Sequence, residues 1–172
     1  LRLGIEVAVV APDLLPSMLF ILGGGAVAGL AALYFIVWRH LNSRPNAPKL
    51  EIKNPTEIHS AVAFGLLYAL VLLASAWLTD LAGSGGLYLV ALVSGLTDVD
   101  AITLSSLRLF NLGNLAGAQA ATAILIALLA NIGFKAGLTL AIGGGALFRR
   151  ALPGFLAVAA GSVAGWLIMP PL

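Results

Sequence analysis

Gly95-Leu96-Thr97-Asp98-Val99-Asp100-Ala101-Ile102-Thr103-Leu104-Ser105-Ser106 sets two carboxylates, two threonines and two serines inside an apolar run. Leu87 to Val93 precede this stretch, and Leu107, Leu109 and Phe110 follow it. An ionised carboxylate is costly in hydrocarbon unless it faces a protein interior, a cavity or a bound ion. On a regular helix Asp98 and Asp100 would point about 200° apart, at about 100° per residue. They can serve one site only if the backbone unwinds, and Ser94-Gly95 offers a place for it to do so. The stretch therefore predicts a helix interrupted near Gly95–Asp100, in the middle of a membrane. Secondary transporters build ion sites from such breaks, using half-helix ends and freed carbonyls.

Composition sets the solvent. Of 172 residues, 60% are hydrophobic and 9% are charged, against about 25% charged in a soluble domain. Mean hydropathy is +1.05. Too few polar residues remain to cover a wet surface, so the expected fold is an all-α polytopic membrane protein. Its partners are the lipid bilayer and an inorganic cation. The sequence pI of about 9.3 is no nucleic-acid signal, because the basic residues are few and scattered. With no cysteine, disulfides and thiolate metal sites are excluded.

Around the central stretch, about six transmembrane helices are expected in one domain covering 1–172. Leu1–Val10 reads as the end of a longer apolar helix, in which Arg2 and Glu6 can pair four residues apart. The chain starts without Met, which points to a piece of a longer protein. After the Pro12-Asp13 break comes a span over Leu14–Trp38, carrying Gly25-x-x-x-Gly29. Residues 39–53 form a basic loop, cytoplasmic by the positive-inside rule. Asn54-Pro55 opens the next helix as N-cap and first-turn proline, with a span near 58–78. Then comes the interrupted span Leu87–Phe110, closed by Arg108 on the cytoplasmic side. Leu112–Phe148 is too long for one crossing and is read as two spans, turning near Asn131-Ile132-Gly133. This places Arg149-Arg150 inside. The last span is Pro153–Met169. Asn131 and Lys135 share a face if the helix continues, and Lys135 either snorkels to the interface or pairs with the Asp98/Asp100 carboxylates.

Arg2-Leu3-Gly4-Ile5-Glu6-Val7-Ala8-Val9 is echoed by Lys135-Ala136-Gly137-Leu138-Thr139-Leu140-Ala141-Ile142. Each copy leads into a Pro-containing break and then a Gly-rich span with a Trp in its closing part. Such an echo suits an inverted-topology repeat, with the counterpart of the Asp-bearing segment upstream of this chain.

Asn54-Pro55, the Gly95-Leu96-Thr97-Asp98-Val99-Asp100-Ala101-Ile102-Thr103-x-Ser105 string and Asn131-x-x-x-Lys135 together resemble the C-terminal half of the bacterial DUF4010 membrane family. Members of that family are often fused behind an MgtC/SapB-type domain. The resemblance runs from about Leu1 to the end. It implies a multi-pass protein of the bacterial inner membrane and an earlier half with a Gly- and Ser/Thr-rich counterpart segment. By analogy it also implies a link to cation physiology, magnesium included.

The expected function is transport of a cation, as channel or secondary transporter. Asp98 and Asp100 would supply hard oxygens as the metal or ion ligands. Thr97, Thr103 and Ser105 would add hydroxyls, Asn131 an amide oxygen, and Lys135 the counter-charge of the empty site. Oxygen-only ligands suit K⁺, Na⁺, Mg²⁺ or Mn²⁺; no organic cofactor is expected. Alternatives are a proton-coupled carrier for an organic or anionic solute, and a non-transporting scaffold or regulatory subunit with a buried ion-pair network. No catalytic motif supports an enzyme. Small-x-x-x-small faces allow a homo-oligomer as readily as packing within the chain.

Overall fold

A computed structural model describes residues 2–42, 66 and 86–170. The expected loop from 43 to 53, the Asn54-Pro55 helix start and the span near 58–78 lie outside the described residues. Within them every regular element is a helix: α1 (Arg2–Val10), a 3-10 turn (Pro12–Leu14), α2 (Leu15–Asn42), α3 (Leu87–Thr97), α4 (Val99–Asn111) and α5 (Gly117–Ile168). Two of them, Pro12–Arg39 and Gly117–Ile168, are long and apolar enough to cross a membrane. The first has only 11% of its most apolar window buried, and it leaves Val27, Leu30, Leu33, Tyr34 and Phe35 more than half exposed. Water would not tolerate a face that large and apolar, whereas lipid is its natural solvent.

The chain reverses after α1 because Pro12 has no N–H to continue the ladder and Ala11 leaves helical geometry (φ −141°, ψ 74°). It reverses again inside α5. Gly144 there has φ 72° and ψ 170°, a region open essentially to glycine alone. The indole N–H of Trp166 donates to the Thr122 hydroxyl at 3.2 Å, so residues 145–168 run back along residues 117–143. Each arm is about 25 residues, or roughly 37 Å at 1.5 Å per residue.

This corrects the turn expected at Asn131-Ile132-Gly133. Helix runs straight through those residues, and the reversal falls at Gly144. The single arm 117–143 replaces the two spans expected between Leu115 and Leu147, and the closing helix starts at 145 rather than at Pro153. Asn131 needs no solvent, because its amide finds a partner on another helix.

Residues 117–143 are the centre of the bundle. Ala120, Ala121, Ala123 and Ala127 are buried there with Ile124 and Leu125. Short side chains let α3 and α4 approach closely. One apolar cluster joins Val7, Leu14, Met18 and Ile21 to Leu107, Ala120 and Ile124. A second joins Ala91, Val99 and Ile102 to Ala123 and Ala127.

α2 crosses residues 145–168 almost backbone to backbone. A Cβ on Gly24 would stand 2.3 Å from the carbonyl oxygen of Gly161, and one on Gly165 would stand 1.9 Å from that of Phe20. The contacts run in opposite directions along the two helices, which are therefore antiparallel. Through the Trp166 contact, α2 is then parallel to residues 117–143 and opposed to α4. Arg39, Arg149 and Arg150 accordingly share one end of the bundle, and Arg108 lies at the other. The expectation that Arg108 and the 39–53 loop share a side does not hold for Arg39. The intervals agree with the echo as well: Ala11 and Gly144, the two reversal points, are separated by the same interval as Arg2 and Lys135.

Candidate functional site: the break between α3 and α4

The expected interruption is present. α3 ends at Thr97, α4 begins at Val99, and Asp98 between them is extended (φ −146°, ψ 117°). The first N–H groups of any helix lack intrahelical partners, and a short acceptor is favoured at the N-cap. Asp98 Oδ1 fills that place, accepting from the Asp100 backbone N–H at 2.9 Å. Asp100 lies in the first turn of α4, where the positive end of the helix dipole favours a carboxylate. Arg108 occupies the last turn, the favourable end for a cation.

The C-terminal end of α3 is closed by other side chains. Its last carbonyls are likewise without intrahelical donors. The Thr97 hydroxyl donates to Ser94 O at 3.0 Å, and the Asn131 amide donates to Gly95 O at 3.0 Å. Gly95 lets this happen. A Cβ there would stand 2.3 Å from the carbonyl oxygen of Ala127, so only glycine allows α3 to rest on the backbone of α5. Ala127 and Asn131 are one helical turn apart, and together they pin the break to the central arm.

Asp100 forms an ion pair with Arg2 through Oδ2. Arg2 thus reaches across to α4 instead of holding Glu6 on its own helix. Lys135, expected as the counter-charge, is exposed and enters no ion pair among the described residues; the pairing role falls to Arg2. Glu6 nevertheless belongs to the same electrostatic cluster, lying within Coulombic reach of Asp100, Arg2 and Asp98.

Of the predicted site residues, Thr97, Asp98, Asp100 and Asn131 meet at the break. The Ser105 hydroxyl turns back to Ile102 O at 3.1 Å. Thr103 is fully buried, and its hydroxyl has no hydrogen-bond partner. Sequence reasoning missed Arg2 as the partner of Asp100, Glu6 as a neighbour, and Ser106. The available signal was two opposite charges, Arg2 and Glu6, in an otherwise apolar stretch. A wide cavity of about 1060 Å³ lies elsewhere, between α1, α2 and residues 151–162. Leu3, Ile5, Leu22, Phe155 and Val158 are among its lining residues, and no charged side chain faces it. Among the described residues no group of three or more His, Cys, Asp or Glu could hold a metal ion.

No solved structure matches the chain. It is similar to an uncharacterized protein of Aquifex aeolicus (strain VF5), with 34% identity over 114 residues. That alignment covers 64% of this chain and 50% of the relative, so the chain spans about half the length of the protein it matches. The profile of the family described as "Domain of unknown function (DUF4010)" matches residues 1–143. That match takes in α1 to α4, the break at Asp98 and the first arm of α5, and the chain belongs to the DUF4010 family.

Proposed function

We propose that this protein carries a cation across the bacterial inner membrane, through the break between α3 and α4. One observation carries the reading. A helix is interrupted at Asp98 within an apolar bundle, and the first turn beyond the break holds a carboxylate paired to a guanidinium from another helix. Charge at such a depth is retained mainly where it serves an ion or substrate path. The break also presents two half-helix ends to one place, the arrangement used for ions in transporters.

The topology supports the same reading. α2, the α3–α4 pair and the two arms of α5 supply four passages through the layer. The α1–α2 unit and the unit from Lys135 through residues 145–168 run in opposite directions, as an inverted repeat requires. Arg39, Arg149 and Arg150 gather at one end, which the positive-inside rule makes cytoplasmic.

A scaffold without transport is the second reading, favoured by one fact: both aspartates already have structural partners, Asp98 in the cap and Asp100 with Arg2. Flux in proteoliposomes separates the two. K⁺, Na⁺, Mg²⁺, Mn²⁺ and protons are screened with this chain and with its complete reading frame, alongside Asp98→Asn and Asp100→Asn. The transport reading expects flux that disappears in a folded Asp100→Asn variant. No flux of any ion, together with misfolding of the aspartate variants, overturns it in favour of the scaffold.

A further inference from the structure

The three carboxylates near the break differ in their commitments. Asp98 caps α4 and Asp100 is held by Arg2. Glu6 does neither, and its Oε2 is buried without a hydrogen-bond partner. Thr103 Oγ1, on a fully buried side chain of α4, shares that condition; so, among the described residues, do Ser106 Oγ and Ser162 Oγ. Buried polar atoms are nearly always paired, so orphaned oxygens on two adjacent helices, Glu6 on α1 and Thr103 on α4, call for a ligand.

Register places them at one level. α1 and α4 run side by side between two fixed points, the Arg2–Asp100 pair and the bond from the Asn111 amide to Val10 O. Glu6 is halfway between Arg2 and Val10. Thr103 stands near the corresponding level of α4, three residues past Asp100 and about 60° round the helix from it, while Ser106 is turned about 120° from Asp100 and lies off this seam.

We infer that Glu6 and Thr103 anchor a binding site for one alkali cation between α1 and α4. The inference rests on the cation-transport reading and moves its ion from the aspartate pair to the adjacent helix seam. Charge decides the class of ion. Arg2 balances Asp100, and the helix dipole with the backbone N–H of Asp100 stabilises Asp98. Among the described residues one negative charge is left, on Glu6, and a monovalent cation matches it where a divalent ion would leave net charge in an apolar seam. The Thr103 hydroxyl supplies a neutral hard oxygen of the kind such an ion accepts. Titratable and charged groups facing Glu6 are Arg2 on its own helix and Asp98 and Asp100 at the start of α4.

The test measures the thermal unfolding midpoint of the purified protein in choline chloride, titrated with LiCl, NaCl or KCl, beside flux of the same ions in proteoliposomes. One alkali ion should raise the midpoint saturably. Glu6→Gln should raise the half-saturating concentration about tenfold or more, and Thr103→Val about threefold, with Thr103→Ser restoring it. If Glu6→Gln fails to fold, the Thr103 pair decides. No saturable rise in the wild type, or a rise unchanged in Glu6→Gln and Thr103→Val, overturns the site. So does a rise reproduced by acidification alone, which would make Glu6 a proton acceptor. Flux that needs Asp100 but ignores Glu6 and Thr103 keeps the transport reading and rejects this site. Saturable, Glu6-dependent stabilisation without any flux keeps the site and rejects transport.

Discussion

The chain departs from helix at Asp98 and again at Gly144, and the two departures are made by opposite means. At Asp98 side chains make the break: a carboxylate caps one helix, a threonine and an asparagine close the other, and an arginine arrives from α1. At Gly144 the backbone makes it, with φ 72° between two further glycines; the Arg149 side chain donates to Gly145 O only from the arm that follows. The first break keeps the two half-helices in line and concentrates charge between them. The second turns the chain back on itself and carries no chemistry. A bend that serves topology needs only the absence of a side chain, whereas a bend that gathers charge must supply donors and acceptors for the groups it uncovers.

Substitutions at each break can sharpen that contrast. The largest effect is expected at Gly95. In Gly95→Ala the new methyl meets the Ala127 carbonyl, and stability should fall by about 3 kcal/mol or folding should fail, the upper range for overpacking; thermal unfolding in detergent reads it. An unperturbed Gly95→Ala would mean that α3 does not rest on the central arm. Next comes Gly144→Ala, which forces a Cβ into the glycine-only region and should cost about 2 kcal/mol. Because no partner side chain is lost, the variant should retain whatever flux the folded protein has. Loss of flux at full stability would show that the glycine turn does more than reverse the chain. The smallest effect is expected at Asp98→Ala, about 1 kcal/mol for a lost N-cap, with Asp98→Ser recovering most of it. The same midpoint measurement checks this, and equal values for Ala and Ser would remove the cap from the account of the break.

The same contrast explains what could be read from the sequence. The break at Asp98 was legible because its polar residues are conspicuous in an apolar run, and none of them is at home in hydrocarbon. The reversal at Gly144 was not. Glycine is common in membrane helices, so Gly143-Gly144-Gly145 gave no contrast with its surroundings. Asn131 did give contrast and drew the expected turn towards itself, yet its amide is satisfied by a carbonyl 36 residues away in sequence. Arg2 shows the same limit. The i,i+4 rule points it at Glu6, and only the packing of α1 against α4 offers it Asp100 instead. Local spacing identifies which groups need partners, and tertiary packing chooses the partner.

The ion pair between Arg2 and Asp100 also bears on how the protein reaches its membrane. A chain inserted as it is made presents its helices to the translocon in order. α3 has 11 residues and α4 has 13, and neither alone spans about 30 Å of hydrocarbon. In the transport reading proposed above they form one crossing and enter together, with two aspartates that each oppose insertion by about 3 kcal/mol at mid-helix. Arg2 has already been synthesised by then. The guanidinium that holds Asp100 in the finished bundle is in place before the aspartate emerges, so an early helix can act as the insertion partner of a later one.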